Sequence, residues 1–451
     1  MQQWNETVGR WVVGWFLTAI LVLHPASGWA AQREGPEPDK VTSQAQDRDK
    51  VLTLDDAVRL AVENHPRIKA ANQKVGAQEA VVRQELGAYY PTIAMENAYR
   101  NTLSSGTVTT SQHSFDFLSS RANFDMVLYN FGKREGTVQS ARNTLDASVN
   151  NFRTAEDEII LAVKEAYYGY LQAQALVKVR EETVKDRELL VRQAQGFYEV
   201  GTRPRIDVAR AESNLFNARA ELIAAQNAVR VAWVTLKNAM GVPDFPEQPL
   251  AEERTITPVP VTLPQAKETA FSIRPELKGF EAQRQAQDQK IAVARRNHLP
   301  DILFHADYGR QNGNRDASLF PLQPVWTVQL RLTIPIFDGF RTTHKIEEEL
   351  RNYYSVRAQE EEKKQQIALE VEQSYLKLVE GQERIKATEA AVRAAKENLD
   401  LATGRYQVGV GSIIEITEAQ TLYTDAQTNN IRTLYDYKIA EARLTKAIGS
   451  P

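Results

Sequence analysis

Apolar residues recur at helical spacing over most of the chain after Thr53, and in places this spacing gives way to strict alternation. Thr53, followed by two acids, is typical of a helix N-cap. The helical pattern then continues, with Pro66 marking a kink or a break. Further on, alternate residues are apolar, which predicts two strands at about residues 91–103 and 115–131.

The same order of patterns appears a second time along the chain. Several matching residues are separated by 208 positions: Tyr167 and Tyr375, Tyr198 and Tyr406, Gly201 and Gly409, Gly241 and Gly449. Two more alternating stretches predict strands at about 300–310 and 325–337. The sequence therefore predicts a twofold internal repeat, with one copy over 53–260 and the other over 261–449.

Each copy contains a helical pattern too long for a globular core. From Lys133 the first pattern continues without a proline up to Pro204, which corresponds to roughly 100 Å of helix. The two long patterns end in YEVGTRPRIDVARAES and YQVGVGSIIEITEAQT, whose Val-Gly pairs predict hairpin tips at about 198–207 and 406–415.

Shorter helices are predicted to return from the tips. They cover Asp207 to Met240 and Ile413 to Ile448, and a further helix is predicted from Leu263 to His298. Two such helices placed end to end have the same length as one long helix. This equality indicates a layered cylinder in which a continuous helix runs beside a stacked pair.

The N-terminal 52 residues have a different character. A 13-residue apolar run after Arg10 and small residues near position 30 predict an export signal over 1–30, with a retained membrane anchor as the alternative. Residues 31–52 are polar and predict a flexible leader. Past residue 30 no apolar stretch approaches the roughly 20 residues of a membrane helix, so any membrane insertion would use the strands. Alternation by itself fits a soluble hairpin sheet equally well.

Composition narrows the function classes. The net charge is −3, with 55 basic and 58 acidic residues, and no basic stripe suggests nucleic acid as a partner. The chain has no cysteine, which excludes disulfides and thiolate chemistry. No catalytic or phosphate-binding motif occurs, so we expect neither an enzyme nor a cofactor or metal site.

The strands, the long helices and the two Val-Gly tips together make this chain resemble the TolC-like outer-membrane efflux protein family over roughly residues 53–449. The resemblance implies a mainly α fold with a membrane β-barrel portion: long helical hairpins forming a trimeric α-barrel, and four strands per chain in a shared 12-stranded β-barrel. A structural periplasmic coiled-coil scaffold without channel activity is the alternative.

The implied function is an outer-membrane exit duct of a tripartite efflux or type I secretion system, without its own energy source. The implied partners are two more copies of the chain, a periplasmic adaptor protein, an inner-membrane transporter reached through that adaptor, and outer-membrane lipid. The implied location is the outer membrane of a Gram-negative-type cell envelope, with the helices in the periplasm.

The resemblance also assigns candidate residues at the tips. Glu415 and Glu418 match acids that line the periplasmic entrance, although Ser412 with Glu415 also fits a helix capping box. Asp207 and Tyr406 match a hydrogen-bonded latch between hairpins, although Tyr406 could equally be an ordinary helix-surface residue. An arginine of some relatives is replaced by glycine in the second tip, so we expect the latch to be weaker or rewired.

Tip residues are the expected docking surface for the adaptor. They are small or apolar: Val200, Gly201, Thr202, Val408, Gly409 and Val410. Glycine permits close backbone approach and valine supplies apolar contact. The alternative is that these residues only form the turns.

Overall fold

The computed structural model describes residues 51–104, 113–252, 261–312 and 321–449. For residues 102–104 and 113–115 it describes the backbone only. The predicted export signal and all but the last two residues of the predicted leader lie outside the described residues. In the described part of the chain, no helix is long and apolar enough to cross a membrane.

Eight α-helices and four strands follow one another in the described ranges. They are α1 (Leu54–Asn64), α2 (Pro66–Leu86), β1 (Thr92–Ser104), β2 (His113–Tyr129), α3 (Lys133–Glu199), α4 (Arg205–Ala239), α5 (Leu263–Ile273), α6 (Pro275–Arg296), β3 (Asp301–Gln311), β4 (Gln323–Thr333), α7 (Arg341–Gln407) and α8 (Ile413–Ile448). Helices α3 and α7 have 67 residues each, so each is about 100 Å long.

The four strands form one antiparallel sheet in the order β1-β2-β3-β4. The strand prediction at 325–337 is wrong at its end, since β4 stops at Thr333. Pro335 has no backbone N–H to donate to a neighbouring strand, which accounts for the early end. The other three strands lie within two residues of their predicted bounds.

One face of this sheet is apolar and exposed. More than half of the residue surface is exposed at the following apolar residues: Ile93, Met95, Tyr99, Tyr308, Trp326, Val328, Leu330 and Leu332. The described part of the chain therefore leaves this face uncovered. The opposite face is polar, and on it His305 lies 2.8 Å from Asp125 and 3.3 Å from Asp307.

The helix predicted from Leu263 to His298 is broken into α5 and α6. Arg274 has an extended backbone (φ −56°, ψ 128°) because the following Pro275 disfavours helical geometry at the residue before it. The first copy breaks in the same way at His65, before Pro66.

Each break abuts the end of a hairpin's return helix. A Cβ on Gly241 would lie 2.6 Å from the His65 Cα, and a Cβ on Gly449 would lie 3.3 Å from the Arg274 Cγ. Both glycines have positive φ, which ends the helix. Helices α4 and α2, and likewise α8 and α6, therefore meet end to end, as the helix lengths predict.

The largest core cluster packs the joint of α4 and α2 against α3, and a separate cluster packs the joint of α8 and α6 against α7. Tyr167, Tyr170 and Leu236 are almost fully buried in the largest cluster. Leu52 also belongs to this cluster, and its backbone pairs with Leu250. The predicted leader is therefore too long at its C-terminal end, because Leu52 is an apolar residue that fills the core. Thr53 caps α1 as predicted, with its side chain accepting a hydrogen bond from the Asp56 N–H.

Candidate functional site

The two hairpin tips have the same backbone geometry. Val200 and Val408 are the C-cap residues of the long helices, and each is followed by a glycine with positive φ, 76° at Gly201 and 83° at Gly409. This left-handed conformation is unfavourable for residues with a Cβ, which explains why both tips carry Val-Gly. The Gly201 and Gly409 N–H groups donate to carbonyls three residues earlier, at 2.9 and 3.1 Å.

The predicted docking residues are accessible. Val200, Val408 and Val410 are each about 70% exposed or more, and a Cβ on Gly201 or Gly409 would meet open space. Thr202 is exposed too, and its hydroxyl donates to the Phe197 carbonyl at 2.9 Å. The tips thus present small apolar groups on a fixed turn.

The two candidate entrance acids differ in their surroundings. The Ser412 hydroxyl accepts a hydrogen bond from the Glu415 N–H at 3.1 Å, so the first half of the capping box is formed. The Glu415 carboxylate instead pairs with the Arg405 guanidinium at 2.9 Å. Glu418, one turn further, is exposed and has no ion-pair partner among the described residues. Of the two, only Glu418 therefore carries an uncompensated charge in the part of the chain that the structure describes.

Tyr406 occupies an interior position between the two hairpins. It is completely buried, and its ring packs edge-to-face on Phe197 with centroids 5.6 Å apart. Asp207, itself 9% exposed, lies close enough for its charge to act on this phenol. Burial raises the pKa of Tyr406, the Asp207 carboxylate raises it further, and Arg203 lowers it.

The expected hydrogen bond between Tyr406 and Asp207 is not formed in this chain. The Tyr406 hydroxyl is buried without a hydrogen-bond partner among the described residues. The connection between the tips comes instead from Arg203. Its Nη2 donates to the Gly409 and Gly411 carbonyls at 2.9 and 2.5 Å, and its guanidinium lies 5.7 Å from the centre of the Tyr406 ring.

Gly411 is required by its surroundings. A Cβ there would lie 2.8 Å from the Tyr406 backbone nitrogen. The second tip therefore has no room for a side chain at this position, and the cation near Tyr406 comes from Arg203 of the first tip.

Sequence reasoning missed a buried polar contact between α3 and α8, several helical turns away from the tips. The Arg187 guanidinium donates to Gln420 at 2.7 Å and to Thr421 at 3.0 Å, while the Thr183 and Thr424 hydroxyls are 3.2 Å apart. Burial lowers the pKa of Arg187. These partners are more than 230 residues apart in the chain, so no local pattern could have paired them.

Comparisons with known proteins agree with this architecture. The model of the outer membrane efflux protein family matches residues 57–242 and 268–450. The chain belongs to the outer membrane efflux protein family. This membership confirms the resemblance stated from the sequence, together with the outer-membrane location and the function as an efflux or secretion channel.

Several members of the family are similar over most of their length. A probable efflux pump outer membrane protein of Pseudomonas putida, TtgC, is 24% identical over 88% of this chain and 82% of its own. The alkaline protease secretion protein AprF of Pseudomonas aeruginosa is 23% identical over 87% and 83%. The outer membrane protein VceC of Vibrio cholerae, a solved structure, has a TM-score of 0.75 at 20% identity and covers 88% of this chain and 96% of that one. This likeness confirms the fold.

Proposed function

We propose that this chain works as a passive trimeric duct, anchored in outer-membrane lipid by its sheet and opened to the periplasm at the hairpin tips. The observation that carries the proposal is the uncovered apolar face of the sheet. Side chains such as Met95 and Trp326 are about 70% exposed there. Contiguous exposed apolar surface marks a membrane or protein contact. Lipid fits it, since alternation of apolar and polar faces is typical of membrane strands.

More than one chain is needed to complete such a duct. Four strands are too few to enclose a lumen, since about eight enclose only a filled core. Strands β1 and β4 lie at the edges of the sheet with unpaired backbone groups on their outer sides. Within the chain, β2 of the first repeat pairs with β3 of the second. The repeat implies the equivalent pairing of β4 with β1 of the next subunit. The number three follows from the family resemblance.

The helices support the same assembly. Helix α4 has an exposed stripe of mainly apolar residues: Phe216, Ala220, Ile223, Val231 and Val234. The positions 208 residues further lie on α8 and are buried or partly buried: Thr424, Thr428, Ile431, Ile439 and Ala442. On α8 this stripe contacts α3 of the same chain, as the Thr183 and Thr424 hydroxyl pair indicates.

A matching exposed stripe lies on α7. Its members are Leu376, Val379, Ala387 and Ala391. The equivalent residues of α3 are all buried: Tyr168, Leu171, Val179 and Thr183. The contact of α3 with α8 inside one chain therefore has a counterpart only between α7 of one subunit and α4 of the next. Such a head-to-tail contact closes into a ring if its rotation permits.

A double-cysteine variant tests this arrangement, because the chain has no cysteine of its own. Phe216→Cys with Ala391→Cys should form a disulfide between subunits, since the equivalent Thr183 and Thr424 hydroxyls are 3.2 Å apart. Oxidation in membranes followed by denaturing electrophoresis should give dimer and trimer bands and nothing larger. Phe216→Cys with Glu389→Cys is the matched control, because Glu389 is exposed on another side of the same helix. Equal cross-linking in the control, or a ladder beyond three subunits, would overturn the ring.

We propose that Glu418 sets the charge of the periplasmic entrance, with a smaller contribution from Glu415. Glu415 is neutralised by Arg405, whereas Glu418 is free to attract cations. Glu418→Gln should therefore lower the cation preference of single channels in planar bilayers more than Glu415→Gln. An unchanged reversal potential in Glu418→Gln would refute this role.

We propose that Arg203 keeps the entrance closed in place of a Tyr406–Asp207 hydrogen bond. Its two hydrogen bonds to the Gly409 and Gly411 carbonyls join the tips of the two hairpins. Arg203→Ala should increase single-channel conductance. Arg205→Ala is the matched control, since Arg205 is exposed and close by in sequence. Equal conductance in Arg203→Ala and the control would exclude the latch.

We propose that the tips dock on the hairpin of a periplasmic adaptor. Val408→Glu should abolish capture of the adaptor while the trimer still assembles, because Val408 is 74% exposed and contributes little to the fold. Gln407→Glu places the same charge on the preceding exposed residue and should retain capture. Retained capture by Val408→Glu would count against tip docking.

A further inference from the structure

The first hairpin carries a cation where the second carries its free acid. Arg210 on α4 and Glu418 on α8 are separated by the repeat distance of 208 residues. Each lies one turn after an exposed isoleucine, Ile206 at 63% and Ile414 at 54% exposure.

The repeat preserves the orientation of these two positions. Ala211 and Ala419, which follow them directly, are both almost fully buried. Residues one and two turns further, Ser213 and Asn217 on α4 and Thr421 and Asp425 on α8, are exposed in both copies. Arg210 and Glu418 therefore lie on equivalent exposed faces of their helices.

Neither charge is compensated by another side chain in the described ranges. Among the described residues, no ion pair involves Arg210 or Glu418, whereas Glu415 pairs with Arg405 at 2.9 Å. Both side chains are exposed, so their charges act on whatever passes over this face.

We propose that Arg210 is a second selectivity residue of the entrance, which opposes Glu418. The inference rests on the proposed trimer, in which six pseudo-equivalent hairpins surround one opening. In that ring three Arg210 and three Glu418 side chains alternate, so positive and negative charges neutralise each other at the same level. The entrance then admits anionic as well as cationic solutes, in contrast to a ring of acids alone.

Reversal potentials across a salt gradient test the inference, with potassium chloride as the probe. Arg210→Gln should raise the ratio of potassium to chloride permeability by about two-fold or more, since a unit charge at several ångströms in water changes local ion concentrations by about that factor. Glu418→Gln should lower the ratio. The double variant should lie between the two single variants. Arg230→Gln removes an exposed cation of the same helix, more than five turns from Arg210, and should match the wild type.

The outcomes separate this inference from the proposed function. A changed ratio in Glu418→Gln with no change in Arg210→Gln would overturn the role of Arg210 and leave the entrance in place. Unchanged ratios in both variants would overturn the entrance itself and the inference with it. An equal rise in Arg210→Gln and Arg230→Gln would show a general charge effect and would also overturn the inference.

Discussion

The stability of the helical portion should depend on pH through Asp157 of α3. Its carboxylate lies near a cluster of buried and partly buried charges at the joint between α6 and α8. There Arg274, 1% exposed, donates to Glu276 at 2.9 and 3.2 Å and to Glu370 at 2.8 Å. Lys446 lies 3.8 Å from Glu276 and 3.6 Å from Glu370. The two cations are thus already paired with two other carboxylates.

Asp157 is the surplus acid of this cluster. Among the described residues no cation lies within ion-pairing distance of it. Burial raises its pKa, the Glu276 charge raises it further, and Lys446 and Arg274 only partly oppose this, so that the pKa of Asp157 is about 6 against an ordinary value of 3.8. The folded state therefore holds the proton more tightly than the unfolded chain does. The resulting stability is fully present below pH 3.8 and is lost as the pH rises through about 6.

The magnitude follows from the shift. About two pH units correspond to about 3 kcal/mol at 1.36 kcal/mol per unit. Asp157 is half-buried, so solvent screening reduces this to about 1–2 kcal/mol per subunit. Asp157→Asn keeps the shape of the protonated acid and removes the charge. We therefore expect it to stabilise the protein by that amount at pH 7.5 and to have almost no effect at pH 4.

Thermal unfolding of the detergent-solubilised protein at several pH values measures this effect. The difference in Tm between Asp157→Asn and wild type should grow as the pH rises from 4 to 7.5, with its midpoint near pH 5, between the unfolded and folded pKa values of 3.8 and about 6. Asp146→Asn is the matched control, since Asp146 is exposed on the same helix. A difference in Tm that is zero at pH 7.5, or the same at both ends of the range, would refute the reasoning.

Three further outcomes follow from individual contacts. Gly309→Ala should weaken assembly of the sheet by about 1–3 kcal/mol, because its Cβ would lie 2.1 Å from the Ser120 carbonyl oxygen. Gly76→Ala places its Cβ in open space and should be tolerated, and the resistance of the oligomer to detergent measures both variants. Tyr406→Phe should leave Tm and conductance unchanged or raise Tm slightly, because the hydroxyl it removes is buried without a partner; a large loss in either would show a hydrogen bond that forms only in the assembly. Arg187→Ala should lower the free energy of unfolding by about 2–4 kcal/mol, because it leaves Gln420 and Thr421 without their buried donor. Arg192→Ala, on the exposed side of α3, should change the free energy of unfolding little, and denaturant titration compares the two variants.

Local signals in the sequence predicted the elements well. Proline, glycine and capping residues act on their own neighbours, which is why the cap at Thr53 and the turns at Gly201 and Gly409 could be read directly. The prediction of one helix from Leu263 to His298 is wrong because Pro275 interrupts a helical pattern that continues on both sides of it. The spacing of apolar residues continues through such a break and does not reveal it. The helix itself cannot continue, because proline has no N–H to donate and keeps the residue before it out of helical geometry.

Contacts between distant parts of the chain could not be predicted in the same way. Arg203 bonds to carbonyls of Gly409 and Gly411, and backbone acceptors leave no trace in a sequence. Asp157 is indistinguishable in the sequence from many acids on helix surfaces, because its burial and the nearby Glu276 carboxylate depend on the packing of distant helices. The repeat is the one source of long-range information in the sequence, because residues 208 positions apart lie on equivalent faces of equivalent helices.

The two copies of the repeat have the same backbone geometry at their tips but different charged residues. This difference affects how an adaptor would bind to the tips. Tip turns, breaks and helix lengths agree between the copies, yet Phe197 is matched by Arg405, Arg203 by Gly411, and Arg210 by Glu418. A threefold ring of such chains therefore presents six tips of one shape and two electrostatic kinds. An adaptor that contacts every tip must tolerate both kinds, so we expect shared apolar contacts at Val200 and Val408 to determine whether it binds. Charge pairs that differ between the tips would then fix its rotational position on the ring.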